Sequence, residues 1–247
     1  MNKIKTSIII PSYNGLELLR ECVEAIRSYT HEDYEIIVVD NGSDDGTPKY
    51  CVQEKIRLIS LPKNKGFPAA CNLGLKIATG DALLLLNNDI VVTHNWLSNM
   101  LNCLYSSKRI GIVGPYTNYT SGRQLKDSGY TDLSQFHEIA ATANMQNPEL
   151  RMPLNRLVGL CFLFKREVMN KIGLLDEQFT PGHYEDDDYC YRARLAGFEL
   201  MLAGDVIIHH HGSKSFNKMD KEQLTKLVNK NYKRFLEKWK VDPLQFL

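Results

Sequence analysis

Four consecutive carboxylates, Glu185-Asp186-Asp187-Asp188, follow Tyr184 and run straight into an amphipathic stretch, residues 189–196. Like charges this close repel, and all can stay ionised only if solvated, set at a helix N-terminus or matched by cations. Read in isolation, the run is an acidic first helical turn that complements the macrodipole. Two further polar clusters change that reading. Asn87-Asn88-Asp89 ends the apolar run 82–86, and His209-His210-His211 ends another, 206–208. Carboxylate, carboxamide and imidazole at the ends of three elements suggest one metal-dependent site.

Such clusters need a scaffold, and the first half of the chain alternates strand and helix signals. Residues 7–10 are an isoleucine-rich run ended by Pro11, which lacks the N–H to continue a ladder. Leu19, Cys22, Val23 and Ile26 recur at helical spacing. Residues 34–40 predict a second strand, Thr47-Pro48 a helix start with Thr as N-cap and Pro at N1, and residues 56–60 a third strand. A helix is expected over 68–78. The run 82–86 is apolar on both faces and reads as a central parallel strand. Trp96, Met100, Leu101 and Leu104 form a helical stripe, and 110–113 a further strand. Strands alternating with helices imply an α/β domain with a parallel sheet.

After Gly114 the pattern breaks. Residues 115–156 are polar and weakly periodic, and a loop of that length in a compact domain is expected to be functional. Order returns with an extended run at 157–164, a short helix through Val168 and Met169, and strands at 199–202 and 206–209. In the tail, Leu224, Leu227, Val228, Phe235, Leu236 and Trp239 share one face of an amphipathic helix. Residues 214–240 carry nine Lys/Arg against three Asp/Glu; a solvated face is the default reading, and docking on an anionic membrane the functional one.

Bulk properties narrow the chemistry. A chain of 247 residues with a net charge of +1 has no global field that selects nucleic acid or membrane. Six scattered cysteines without a CxxC pair argue against a zinc knuckle or a disulfide framework and fit a reducing compartment. The apolar run 8–10 is too short for a signal-peptide core, so a soluble cytoplasmic protein is expected. No GxGxxG follows the first strand, and neither GxxxxGK[ST] nor GxSxG occurs, which excludes dinucleotide, P-loop and serine-hydrolase readings. The turns after the first two strands instead hold Pro11-Ser12-Tyr13-Asn14-Gly15 and an Asx-rich loop from Asp40 to Thr47. In an open α/β sheet ligands bind at the carboxyl ends of the strands, where such turns lie.

Taken in order, SIIIPSYNG, YEIIVVDNGSDDGT, NKGFPAACNLGL, LLLLNNDIVV, YEDDDYCYRARLAGFEL and IIHHHGSKSF closely resemble the family 2 glycosyltransferases. The resemblance spans residues 6–216 and implies a GT-A fold: a single α/β domain with a Rossmann-like, mostly parallel central sheet flanked by helices. It implies a nucleotide-sugar-binding half at 1–114, an acceptor-binding half at 115–216 and an amphipathic helical tail at 217–247. The Asn-Asn-Asp form is similar to bacterial rhamnosyltransferase-like enzymes of surface polysaccharide synthesis.

By that resemblance, Pro11, Tyr13 and Asn14 line the nucleotide pocket, and Asp40 contacts a uracil or thymine base with support from Ser43 and Asp45. Gly66 lets the backbone approach the ligand, and Asn72 reaches the donor. The family's Asp-x-Asp maps to Asn87-Asn88-Asp89, so Asn87 and Asn88 serve the donor and Asp89 holds Mn²⁺ or Mg²⁺. The pattern His-His-Gly-Ser-x-Ser aligns best with His210 as second metal ligand, with His209 and His211 left open. Asp186 is the implied base, Glu185 orients the base or the acceptor, and Asp188 caps the helix or faces the sugar. The resulting expectation is a metal-dependent inverting glycosyltransferase. It uses a UDP- or dTDP-sugar and a saccharide, lipid-linked or protein-linked acceptor. The rivals are a nucleotide-sugar-binding protein without catalysis and a nucleotidyltransferase. The second rival expects a basic Gly-rich loop after its first strand, and residues 11–15 hold no Lys or Arg.

Overall fold

Residues 4–212 and 220–246 are described in the computed structural model of the protein. Their strands are β1 (Lys5–Ser12), β2 (Asp33–Asp40), β3 (Arg57–Ser60), β4 (Ala82–Leu86), β5 (Ile90–Val91), β6 (Ile110–Thr117), β7 (Met152–Leu154), β8 (Cys161–Lys165) and β9 (Glu199–His210). They form one sheet in the order β3-β2-β1-β4-β8-β6-β9-β5, with β7 also paired to β9. The first four are mutually parallel, as the alternating pattern requires. Beyond β4 the sheet is mixed: β8 runs antiparallel to β4 and β6, and β9 is parallel to β6 but antiparallel to β5 and β7.

The continuous apolar strands are explained by cover on both faces. Ile8, Ile10, Val38, Leu84 and Leu86 point into one core with α1 (Leu16–Tyr29), α2 (Thr47–Gln53), α4 (Trp96–Leu104) and α5 (Leu133–Ala143). Ile9, Ile37, Val39, Leu83 and Leu85 point into the other, with α3 (Phe67–Ile77), α6 (Arg166–Ile172) and α7 (Glu185–Leu195). Successive strand residues alternate faces, so a sheet buried twice has no polar alternate. Trp96 belongs to the first core and donates its indole N–H to Thr30 Oγ1.

Several elements differ from their sequence expectation. Strand β1 runs through Pro11 to Ser12. Its pairing with β4 stops at Ile9, so beyond that point it has β2 on one side only, where a residue without an N–H is tolerated. The two strands expected near 199–209 are one long strand whose partner register on β6 jumps between Pro115 and Tyr116. Gly46, in the left-handed region, precedes α2 where Thr47 was expected to cap it. The polar stretch 115–156 is also less loop-like than its periodicity suggests. It completes β6, forms α5 behind an Asp132 cap that accepts from the Gln135 N–H, and adds β7. The expected boundary between halves at 114/115 falls inside β6.

The amphipathic tail forms α8 (Lys221–Trp239), with Asn231 and Phe235 buried. Residues 213–219, including the serines of the His-His-Gly-Ser-x-Ser pattern, lie outside the described residues. No described helix is long and apolar enough to cross a membrane.

The bulge in β9 gives a direct test of how this strand is seated. At Gly204 an added Cβ would lie 1.9 Å from the Leu150 carbonyl oxygen, closer than any packing adjustment of a side chain can relieve. Gly204→Ala is expected to lower stability by about 1–3 kcal/mol, read from urea unfolding. An unchanged midpoint would show that the 148–150 turn does not press on β9.

Candidate active site

At the carboxyl ends of β1 and β4 the molecule opens into a cleft of about 1050 Å³. Its walls include Pro11 to Asn14 at the end of β1, Asn87 to Asp89 after β4, His210 at the end of β9 and the segment from Pro181 to Asp187. All three polar clusters of the sequence therefore meet there.

On the first wall, Asn14 laces two turns together. Its backbone N–H donates to Ser43 Oγ at 3.0 Å, and its side-chain Oδ1 accepts the Asp44 N–H at 3.0 Å. Pro11 and Tyr13 also face the cleft. Asp40, Ser43 and Asp45 do not line it. Asp40 is buried and accepts from the Ser43 N–H at 3.1 Å and the Ser60 hydroxyl at 2.9 Å. Asp45 accepts from the Leu16 and Thr47 backbone N–H groups and the Thr47 hydroxyl. Burial opposes ionisation of Asp45, but these donors hold its carboxyl below the usual range. Here the three residues shape the loop rather than face the open space.

Asn41, though buried, takes the place that borders the cleft beside them. Its Nδ2 donates to Asn64 Oδ1 and the Gly66 carbonyl, and its Oδ1 accepts the Lys65 N–H, fixing the rim of the wall. Gly66 does line the cleft, but the close approach it permits is to protein. With φ at 90°, an added Cβ would sit 2.6 Å from Thr180 Cγ2, next to the Phe67 N–H bond to the Pro181 carbonyl. Asn72 stands apart from the cleft. Its carboxamide donates to the Leu175 carbonyl and Glu177 and accepts the Leu175 N–H, so both its ends are committed to the segment before α7. It holds that segment on α3 instead of reaching a donor.

The pairing of β5 with β9 creates the next feature. Ile90 lies opposite His210, and the His211 N–H donates to the Asp89 carbonyl, so Asp89 and His210 become neighbours. His210 Nδ1 lies 2.7 Å from the Tyr119 carbonyl oxygen, which fixes the proton on Nδ1 and leaves the Nε2 lone pair facing the cleft. Nε2 lies 3.2 Å from Asp89 Oδ1 but is not aligned for a hydrogen bond, and it is buried without a hydrogen-bond partner. Burial would lower the His210 pKa; the Asp89 charge more than offsets this, and the net direction is up. With His210 neutral, its Nε2 lone pair would face Asp89 Oδ1 across 3.2 Å, an arrangement that either a proton or a cation between them resolves. Among the described residues no three His, Cys, Asp or Glu side chains converge as a metal-ligand set. The pair fits a divalent cation that takes its other ligands from phosphates and water. His209 turns instead to Tyr130 and His211, and His211 to Glu21. Asn88 Nδ2 donates to Ser12 Oγ at 3.1 Å, and Asn87 borders the cleft beside it.

The acidic run forms the first turn of α7, and its four carboxylates meet four different environments. Glu185 is 6% exposed, and its Oε2 has no hydrogen-bond partner; burial and the neighbouring Asp186 push its carboxyl well above the usual range. Asp186 is 9% exposed and accepts the Gly159 N–H at 2.8 Å on Oδ2 and the Asp187 N–H at 2.9 Å on Oδ1. Asp187 pairs with Arg156, yet burial and the Asp186 charge still raise its pKa to about 7. Asp188 is fully buried and faces neither cleft nor helix cap. It accepts from Arg192, Lys238 and the Trp239 indole N–H. Arg192 is spent on Asp188 and the carbonyls of Ile172 and Leu174, and Arg194 lies over the Phe246 ring, so neither borders the cleft.

Further cleft residues carried no motif: Tyr119, Ser121, Arg156, Leu160 and, from the tail, Val228 and Leu244. Among the described residues, Arg156 is the one Lys or Arg that lines the cleft. The polar stretch 115–156 held the signal for some of these, but nothing in its spacing singles out a particular side chain.

Comparison with known proteins places this geometry. A model described as glycosyl transferase family 2 matches residues 7–173. The uncharacterised protein y4gI of Sinorhizobium fredii is 26% identical over 252 residues, 95% of this chain and 27% of its own. Glycosyltransferase AglE of Haloferax volcanii is 28% identical over 224 residues, 88% of this chain and 70% of its own. Among solved structures, the mannosyltransferase PcManGT of Pyrobaculum calidifontis, in complex with GDP-Man and Mn²⁺, superposes with a TM-score of 0.61 at 20% identity. That match covers 83% of this chain and 56% of the other. The chain thus spans about a quarter of y4gI and just over half of the mannosyltransferase. The structural likeness establishes a GT-A fold.

The buried carboxyls make stability depend on pH with a definite sign. Folding retains protons on Glu185 and Asp187 that an unfolded chain releases above about pH 4–5. From there to about pH 7 the folded state binds more protons, so these two groups make stability fall as pH rises. Urea midpoints from pH 5 to 7 should decline less steeply in Glu185→Gln than in the wild type. The difference between the two proteins isolates this carboxyl; identical slopes would mean that Glu185 is ionised in the folded protein.

Proposed function

The chain belongs to glycosyl transferase family 2, and from that premise we propose that it transfers a sugar from a nucleoside-diphosphate sugar to an acceptor hydroxyl with inversion. One observation carries this reading: Asp89, His210 and Asp186 border the same cleft, beside the strand-end turns that hold Pro11, Tyr13 and Asn14. The nucleotide lies against those turns, with Asp40, Ser43 and Asp45 acting through the loop they brace. Asn87 and Asn88 meet the ribose or the donor sugar. The donor half is 1–114, the acceptor half 115–216 and the tail 217–247, with Val228 and Leu244 of the tail closing one side of the cleft.

Held by Asp89 and His210, Mn²⁺ or Mg²⁺ would supply Lewis-acid stabilisation of the departing diphosphate. The mannosyltransferase crystallised with GDP-Man and Mn²⁺ supports that choice of ion. Opposite, Asp186 accepts the proton of the incoming hydroxyl. Its two backbone donors orient the carboxylate while leaving each oxygen a further lone pair. Base and leaving group on opposite sides of the sugar give a single displacement and inversion. Glu185, kept protonated by burial, is a hydrogen-bond donor to the acceptor or the sugar. The Asn-Asn-Asp form makes dTDP-rhamnose a donor worth including, consistent with a role in surface polysaccharide synthesis.

The test is a thermal-shift panel of UDP-, dTDP- and GDP-sugars with and without Mn²⁺, followed by assay of nucleoside diphosphate release. Donor binding should raise the melting temperature in the presence of Mn²⁺. Asp186→Asn should keep that shift and lose about 10²–10⁴ in transfer rate; turnover near the wild-type rate removes Asp186 as the base.

The outward face of α8 exposes Lys226, Lys230 and Lys233. We place the protein in the cytoplasm with this face on an anionic membrane that carries a lipid-linked acceptor. Flotation with phosphatidylserine vesicles should recover the protein at low salt; recovery equal to that with neutral vesicles excludes the contact.

A further inference from the structure

We infer that α8 is a strut that holds the carboxylate-bearing turn in its working geometry, with Asn231 as a positioning residue for Glu185 and Asp186. The role in transfer rests on the function proposed above; the mechanical claim stands on the following contacts.

The turn is not one the chain adopts without support. His183 and Tyr184 both lie in the left-handed region, at φ of 71° and 74°, where residues with a side chain are strained. Such conformations persist when the surroundings over-determine them. Asn231 supplies that constraint. It is fully buried in the middle of α8, and its Nδ2 lies 2.8 Å from the Phe179 carbonyl, 2.8 Å from that of Gly182 and 3.1 Å from that of His183. A carboxamide has two N–H groups, so three carbonyls share them. Its Oδ1 accepts from Arg234, which also donates to the Gln178 carbonyl.

Two more grips come from the same helix. The Tyr184 ring packs on Tyr232 and Phe235, with centroids 6.0 and 6.3 Å apart. One turn into α7, Asp188 Oδ1 accepts from Lys238 at 2.6 Å and from Trp239 Nε1 at 2.8 Å. The segment that presents Glu185, Asp186 and Asp187 to the cleft is therefore held before and after by one element. Asparagine is a poor interior helix residue, because its side chain competes for backbone partners. At 231 that property is put to use on the backbone of another segment. Asn231 does not border the cleft, whereas Val228, three residues earlier on α8, does. The helix also lies beyond residues 7–173, the part matched to the family, so this support belongs to the remainder of the chain.

The experiment compares wild type with Asn231→Ala by hydrogen–deuterium exchange and by steady-state kinetics. Amides of 182–188 should exchange about tenfold faster or more in the variant, with those of β1, β2 and β4 unchanged. With the nucleotide sugar that the panel identifies, kcat should drop at least tenfold while the donor KM stays within twofold. Unchanged exchange in 182–188, or an increase spread evenly over the sheet, overturns the inference; so does a matching rise in KM with kcat preserved. Should the alanine variant fail to fold, Asn231→Ser keeps one donor and carries the same comparison. Absence of turnover in the wild type with every donor would remove the transfer reading, and the exchange comparison would still decide the strut.

Discussion

Four adjacent carboxylates are buried at the start of one helix, and the rest of the site is arranged around that fact. Withdrawing even one ionised carboxylate from water costs several kcal/mol unless partners replace the lost hydration. Each member of the run meets the cost differently. Glu185 keeps its proton, Asp186 takes two backbone N–H groups, Asp187 takes Arg156, and Asp188 takes Arg192, Lys238 and Trp239. These partners come from three parts of the chain, the 156–159 segment, α7 itself and α8, so the acidic turn is buried only when those parts have packed around it. The same division separates roles. Two carboxyls in one cleft, one neutral and one held by amides, can donate and accept hydrogen bonds side by side.

A second constraint lies across the cleft. The two-residue strand β5 is short, yet its antiparallel register with β9 sets Asp89 beside His210. The Tyr119 carbonyl then fixes the imidazole tautomer. The bulge in β9, where its partner register on β6 shifts, lies between the start of that strand and His210 and so helps set where the histidine arrives. The mixed half of the sheet thus supplies the cation-holding pair, and the parallel half supplies the strand-end turns where nucleotides bind in such sheets.

Some of this was readable from residues. The runs at 7–10, 34–40 and 82–86 announced strands, the last of them apolar on both faces, and the helical stripes of α1 and α4 were legible from their spacing. The interior of 115–156 was not. Helix α5 buries only Phe136 and Ala140, too few positions for a periodic signal to stand out from the polar background. Asn72 and Asp40 show a different limit. A polar residue inside a motif can face a ligand or brace the protein, and only the positions of Leu175 and Ser60, far along the chain, show which neighbours these side chains have.

By itself the sequence determined the α/β class, the parallel pairing of the first four strands, and the three polar clusters with their family likeness, because periodicity and side-chain chemistry are local properties. Tertiary structure decided which histidine of three turns to the cleft, which two of four carboxyls are pushed toward their protonated forms, and that a helix beyond the family match grips the acidic turn. Those outcomes depend on strand register and on burial, and both arise from contacts between residues distant in the chain, such as Asp89 with His210 and Asn231 with Phe179.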